Sequence, residues 1–596
     1  MNAYRSPQAD LRFVIHEVLS APDTLAGLPA HAQTGAELVD AVLEEAARFC
    51  DQVIAPLYQG GDAGCTWRDG EVTAPAGFRD AFSAFAEGGW SGITAPAEEG
   101  GQGLPYVLDG AFKEMINGAN VAWGTFPLLG HGAIESLRHY GEDWQKAAFL
   151  QPLVDGRWTG TMCLTEPHCG TDLGLLKTRA EPLGDGRHAI SGQKIFITAG
   201  EHDFTPNIVH LVLARLPDAP PGVKGISLFV VPKFKVGRDG VMGERNAVRC
   251  GSIEHKMGLH GSATCVMNFD GAEGWLLGPP NKGLAAMFLM MNSARLAVGI
   301  QGLGLIERAW QNALAYANDR LQMRAPAGPA YPDRPADPLI VHPDIRRMLM
   351  TCRAFAEGGR VLSLYAWLKA DVAAHASDAA ERATAETVVG FLTPICKGLL
   401  TEAAVECAYH AQQVYGGHGY IAEWGMEQIA RDARITTIYE GTTQIQALDL
   451  IGRKTLLADG AGLKAVLAEI GAFCRMEADN PALADLLSAL TDRTDQWARL
   501  TRAIAEQAAG DPAVAPAAAY DYLFYSGYVM LAWCWAQRVA AAERSDRGEA
   551  FKRAQRELAA FYFARILPRA DCHAACIEAG PASLMTLADT EVGAGA

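Results

Sequence analysis

Asn207–Leu216 reads NIVHLVLARL and Gly225–Phe234 reads GISLFVVPKF. Both segments are short, rich in Val, Ile and Phe, and bounded by Pro and Gly, the pattern of β-strands. They interrupt a chain whose remaining periodicity is helical. Upstream, Thr34 with Glu37 reads as a capping box. Leu38, Val42, Ala46, Phe49 and Val53 follow as one apolar helical stripe, ended by Pro56. Downstream, the helical period returns at Asn281 and holds to about 455, broken by a Pro-rich insertion, Ala325 to Pro343. The expected organisation is an α+β fold, mainly α. It comprises a 1–34 extension, a 35–160 helical domain, a 161–280 β-barrel or sandwich, a 281–455 helical bundle and an additional 456–596 helical domain.

The 596 residues carry 51 Lys plus Arg against 68 Asp plus Glu, a net charge of −17. That balance disfavours a protein whose main task is to hold a phosphate backbone. The apolar share of 49% suits a large buried core and argues against disorder. Thirteen scattered cysteines with no C-x-x-C pair fit a reducing compartment rather than a disulfide scaffold or zinc ribbon. Cys572 and Cys576 around His573 read as a buried helix face, so no metal is expected. Tyr522 to Gln537 is uncharged for 16 residues, short of the roughly 20 a membrane span needs. With no secretory signal at the start, the expectation is a cytoplasmic protein without a membrane anchor.

The familiar local signatures are absent: no P-loop, no G-x-S-x-G, no H-E-x-x-H and no strand followed by G-x-G-x-x-G. Four strings remain. They are Met162–Asp172 (MCLTEPHCGTD), Ile190–Gly200 (ISGQKIFITAG), a turn feeding a strand, Tyr415–Tyr420 (YGGHGY), and Ile438–Gln446 (IYEGTTQIQ). Singly, each has a bland reading. Gly416-Gly417 could be a helix break, Thr165 and Thr198 strand residues, Arg320 a solvated charge, and Glu440 a surface carboxylate. Together and in this order they resemble the signature strings of the acyl-CoA dehydrogenase family of flavoproteins, over about 35–455. The two ends, Tyr4–Leu19 and the extra helical block, are similar to the enlarged bacterial branch that includes the 3-methylmercaptopropionyl-CoA dehydrogenases.

The resemblance implies a mechanism. A glutamate removes the Cα proton of an acyl thioester while the Cβ hydride passes to flavin N5. In medium-chain-type relatives that base lies in the Tyr-Glu-Gly string, here Glu440. Burial would raise its pKa toward working pH. The backbone N–H of Glu440 and a flavin ribityl hydroxyl would hold the thioester oxygen, with Gly441 allowing close approach. Other relatives place the base immediately before an arginine that corresponds to Arg295; here that position is Ala294, which cannot accept a proton. FAD would be contacted by Cys163, Leu164, Thr165, Gly170 and Thr171, and by Phe196, Ile197 and Thr198. Phe196 keeps a stacking ring where many relatives carry an indole. Arg320, Gln413, Gly416 and Gly417 correspond to positions that hold the adenosine and pyrophosphate of the neighbouring subunit's FAD; a guanidinium suits a pyrophosphate. Thr442 and Gln444 complete the cofactor set. Thr171, Gly441 and Arg295 correspond to substrate positions. His168, His418, Cys163 and Cys169 read as structural side chains.

The implied partners are an acyl-CoA, an electron-transferring flavoprotein and a second copy, with a dimer favoured. An oxidase discharging to oxygen would need the same base and flavin. Some enlarged relatives bind DNA through a basic C-terminal domain, but residues 456–596 hold 13 Lys plus Arg against 18 Asp plus Glu, a net of −5. That charge would repel a duplex and also disfavours membrane docking. The implied substrate is 3-methylmercaptopropionyl-CoA, giving methylthioacryloyl-CoA, with a short- or medium-chain acyl-CoA as the alternative.

Overall fold

The computed structural model describes residues 4–592. The chain divides into two compact units. One comprises 46–104 and 115–297, the other 1–45, 105–114 and 298–596.

The first unit is built on a sheet of seven strands. In chain order these are β1 Trp158–Cys163, β2 Arg179–Gly184, β3 Arg187–Thr198, β4 Asn207–Arg215, β5 Ile226–Pro232, β6 Val248–Ile253 and β7 Thr264–Leu277. Their order is β6-β7-β3-β2-β4-β1, and β5 pairs with both β7 and β4. That double pairing closes β7, β3, β2, β4 and β5 into a barrel. β1 runs parallel to β4 at the edge, with Trp158 opposite Asn207 and Cys163 opposite Val212. Every residue of β1 and β5 is buried, and β5 reads as a nearly continuous apolar run rather than as alternation. No turn opens β3: contrary to the sequence reading, the strand runs unbroken from Arg187 through Gly192 and Gln193.

The second unit is helical. Its long helices are Pro343–His375, Ala379–Val414 and Val514–Arg544, joined by the later part of Gly283–Asp319. Gly302 lets two backbones approach, since a Cβ there would lie 2.6 Å from the Leu400 carbonyl oxygen. By length and composition, Gly283–Asp319 and Ala379–Val414 could cross a membrane; 78% of the apolar window in the latter is buried inside the protein. Tyr522–Ala536 is buried throughout, which explains its lack of charge without a bilayer.

The N-terminal segment is part of this core. Leu11, Phe13, Val14 and Ile15 are fully buried, and Asp10 lies between two buried guanidiniums. Arg538 Nη2 donates to it at 2.6 Å, and Arg360 also pairs with it. Arg360 further holds Glu114 and Glu307, at 2.6 and 2.7 Å, and Arg538 holds Glu357 at 2.7 Å. Burial pushes the Glu114 carboxyl up to about 7, against the opposing pull of Arg360.

Two helical readings need correction. The buried positions of Ala36–Phe49 and its continuation are Val39, Leu43, Ala46, Ala47, Phe49, Cys50 and Ile54, while Leu38 is exposed and Val42 and Val53 are half-buried. Ala46 and Phe49 face inward as read, but the stripe begins at Val39 and Leu43 rather than Leu38 and Val42, because each is one of two adjacent apolar residues and packing selects the second. Cys572 and Cys576 are exposed. The buried face of Arg569–Ala579 is Ala570, Ala574 and Ile577, small and apolar residues that pack better than the two thiols would.

Candidate functional site

In the first unit, the expected flavin residues gather at the end of β3. Cys265 faces Ile197 while Met267 faces Lys194, so Ile195 and Phe196 together oppose Val266. A two-against-one bulge bends a strand and re-aims a side chain. Phe196 takes φ +59° and its ring is 59% exposed, an outward-facing aromatic on a strand whose next residue, Ile197, is buried. The Ile195 N–H donates to the Thr165 carbonyl at 2.9 Å, tying the bulge to the loop that follows β1. In that loop Leu164 and Thr165 are half-buried while Gly170 and Thr171 are exposed; Thr198 is half-buried. Glu166 and Cys169 exchange backbone hydrogen bonds of 2.9 and 3.1 Å, folding Gly170 back against Thr165.

A buried ion pair braces this corner, and the sequence reading had not singled it out. Lys194 Nζ donates to the Leu164 carbonyl and to Glu166, both at 2.9 Å. Glu166 also accepts from Thr178 Oγ1 at 2.6 Å, from the Thr178 N–H at 2.9 Å and from the Lys177 N–H at 2.7 Å. Burial disfavours its charge, but Lys194 and these donors outweigh burial and hold the carboxyl below the ordinary glutamate range. Glu166, His168 and Cys169 bring ligand-type atoms within 4.8 Å of one another. Both oxygens of Glu166 are already engaged, and His168 Nε2 lies 2.9 Å from the Leu175 carbonyl; the group reads as a loop fastening. Cys163 is buried, its thiol pushed up to about 12 by burial, which leaves its backbone as the part able to meet a ligand. The signal for the clamp was Lys194, a charged residue immediately before the β-forming run Ile195–Thr198. Arg295 and Ala294 are both buried, on the helix that begins at Gly283.

In the second unit, Glu440 lies in the connection between Met426–Thr436 and Thr443–Leu448. It takes φ +55° and Gly441 takes φ +90°, two successive left-handed residues that turn the chain sharply. Glu440 is half-buried. Gln446 Nε2 donates to the Glu440 carbonyl at 3.0 Å, and Thr443 Oγ1 donates to Glu402 at 2.6 Å. Tyr439 OH donates to Gln301 Oε1 at 2.5 Å; burial, followed by the charge of Glu440, raises the pKa of this phenol. Thr442 Oγ1 accepts the Ile445 N–H at 3.3 Å and so caps the next helix. Gln444 is exposed. Gln301, Glu402 and Gln446 thus hold the corner; only Gln446 stood within the motif.

The adenosine-side set forms a third group, also in the second unit. Arg320 ends the Gly283–Asp319 helix and is exposed, as are Gln413, Gly416 and Gly417. Tyr316, one turn before Arg320, lies 2.9 Å from His418 Nδ1 through its hydroxyl and stacks on Tyr415 at 4.0 Å. His418 stacks on Trp424 at 4.2 Å. These contacts fix the glycine turn beside Arg320. A Cβ at Gly416 or Gly417 would meet nothing within 4 Å, so the space beside those two backbones is open. Tyr420 and Ile421, next along the chain, are exposed.

Comparison with known proteins bears on this arrangement. Family models match four successive stretches: acyl-CoA dehydrogenase N-terminal domain over 37–157, middle domain over 161–272, C-terminal domain over 281–456, and acetyl-CoA dehydrogenase C-terminal like over 466–588. The chain is 45% identical over 545 residues to a 3-methylmercaptopropionyl-CoA dehydrogenase of Ruegeria pomeroyi, covering 91% of each chain. It is 36% identical to the broad-specificity linear acyl-CoA dehydrogenase FadE5 of Mycobacterium tuberculosis, covering 84% of each. Among solved structures, an acyl-CoA dehydrogenase from Bacillus anthracis complexed with FAD shares the fold, with TM-score 0.74 and 19% identity over 96% of this chain and 92% of that one.

Proposed function

The chain belongs to the acyl-CoA dehydrogenase family, and from that premise we propose that Glu440 is the base which takes the Cα proton of a bound acyl-CoA. The protein is an oxidoreductase acting on acyl-CoA. The observation that carries the assignment to Glu440 is its corner: a carboxylate on the first of two consecutive left-handed residues, the second a glycine, braced from behind by Gln446 and Glu402. Such strain persists where surrounding contacts over-determine it and is common at reactive positions. The position that corresponds to the alternative base is Ala294, which has no proton-accepting group.

FAD fits the residues present. Phe196 offers an open ring face for stacking, and Thr165 and Thr198 offer hydroxyls on either side of the bulge. Cys163, Leu164, Gly170, Thr171 and Ile197 supply backbone. Arg320 with Gln413, Gly416 and Gly417 offers a cation beside a bare backbone, suited to a pyrophosphate, and Thr442 and Gln444 follow the base. When bound, FAD supplies the acceptor for the hydrogen and electron pair that leave Cβ. Glu440 takes up the Cα proton, and its own N–H donates to the thioester oxygen as negative charge gathers there. Thr171, Gly441 and Arg295 complete the substrate contacts.

The substrate we propose is 3-methylmercaptopropionyl-CoA, on the strength of the R. pomeroyi relative. The alternative is a linear acyl-CoA, on which FadE5 acts. We further propose a cytoplasmic homodimer, in which the exposed Arg320 group serves the neighbouring subunit's FAD, and an electron-transferring flavoprotein as acceptor. Glu440→Gln should keep the yellow cofactor and lose bleaching by substrate, with turnover down at least about 10³-fold; a variant that still bleaches would overturn the base assignment. A kcat/KM panel over methylmercaptopropionyl-, butyryl-, octanoyl- and palmitoyl-CoA tests the substrate, and a palmitoyl preference would defeat it.

A further inference from the structure

A cavity lies wholly within the helical unit. It has a volume of about 470 Å³ and is walled by the Ala379–Val414, Val514–Arg544 and Arg569–Ala579 helices, within the roughly 300–1,000 Å³ of small-molecule sites. Tyr520, Phe524 and Tyr528 stand at intervals of four on one helix and share a face. His573 stacks on that ladder, 5.3 Å from Phe524 and 5.8 Å from Tyr528. Tyr409, from the opposite wall, is 60% exposed and Tyr520 is 43% exposed, so rings from two helices stand open at the mouth.

The lining charge is negative. Glu406 is answered by Arg569, which donates twice to it at 2.7 Å. Glu402 accepts from the neutral hydroxyl of Thr443; among the described residues no cation stands within ion-pair distance of it. Its charge reaches Tyr520, whose phenol is raised first by burial and then by Glu402. Aromatic faces carry negative charge outward, and rings combined with an unanswered carboxylate attract a desolvated organic cation better than an anion or a neutral molecule. No such combination occurs among the flavin or substrate residues above.

We infer that this cleft is a binding site for a small organic cation of the alkylammonium class, held by the Tyr409 and Tyr520 rings and the Glu402 carboxylate. The site shares Glu402 with the base corner, but the inference does not rest on the acyl-CoA chemistry. Choline, titrated calorimetrically into the full-length holoprotein, should bind one per chain. Its neutral isostere 3,3-dimethylbutan-1-ol should bind at least tenfold more weakly. Tyr520→Ala, which leaves Glu402 and the Glu440 corner intact, should weaken choline at least tenfold with flavin colour retained. No saturable heat, equal binding of the isostere, or undiminished binding to Tyr520→Ala each overturns the inference. A crystal of the unaltered protein soaked in tetramethylarsonium chloride gives a readout that does not depend on a variant folding. Anomalous arsenic signal between Tyr520 and Glu402 supports the site, and its absence there overturns it.

Discussion

Phe196 and Glu440 occupy two corners with the same backbone conformation and different braces. Each is a non-glycine residue with positive φ, +59° and +55°. Behind Phe196 stands a buried ion pair, Lys194 with Glu166, whose carboxylate collects four donors besides its loop's own backbone bonds. Behind Glu440 stand hydrogen bonds between mostly neutral groups: Gln446 to its carbonyl, Tyr439 to Gln301, and Thr443 to Glu402. The difference follows from task. The first corner has only to present a ring and a loop of backbone, so a rigid charged clamp suits it. The second must present a carboxylate on a sharp turn, and side-chain donors to its backbone and to its neighbours fix that turn. The base corner is therefore steadied by donors aimed at backbone and neighbours and by one carboxylate, Glu402, set on the far side of Thr443.

The contrast can be broken at several points. The largest expected effect is Lys194→Met, which leaves Glu166 buried and unanswered; a loss of about 3–5 kcal/mol in urea unfolding is expected, together with release of flavin. A variant that unfolds with wild-type stability would show that the pair is not a clamp. Next comes Thr443→Val, which frees the base corner without touching Glu440. Turnover should drop about 10–10²-fold, as misplacement of a catalytic group by about 1 Å does, while the thermal midpoint shifts little. An equal loss of stability and no loss of kcat would make Thr443 merely structural.

Acid should distinguish the corners further. Glu166 has a folded pKa below the ordinary value of about 4.3, so its stabilising contribution is complete above that value and is lost as pH falls through the lower folded value. Glu166→Gln should flatten the acid limb of a stability–pH curve; an unchanged limb would assign that limb to other groups. The smallest effect is at the bulge itself. Phe196→Gly removes the steric cost of the left-handed conformation, about 1 kcal/mol, so the flavin-free protein should unfold at slightly higher denaturant while flavin retention weakens. Destabilisation would mean that the ring packs against the protein rather than standing ready for a ligand.

Much of this molecule was legible in its sequence, for physical reasons that differ by element. The strands at 207–215 and 226–232 announce themselves because a sheet buried on both faces needs mainly apolar strands rich in Val, Ile, Leu and Phe. The Tyr439-Glu440-Gly441 string marks its corner because only glycine tolerates φ +90° at low cost, so the turn leaves its trace in composition. Helical phase is less legible: Leu38 with Val39 and Val42 with Leu43 are adjacent apolar pairs, so the order of apolar residues does not say which member of each faces the core. Least legible are the braces. Lys194 meets Glu166 across 28 positions, Thr443 meets Glu402 across 41, and Arg360 gathers Asp10, Glu114 and Glu307 from segments up to 350 positions away. Local propensity and motif spacing determined the elements and the reactive residue types. Which charges answer one another was decided only when the chain closed on itself, because a long-range pair has no energy, and so no signature, until burial removes the water between its partners.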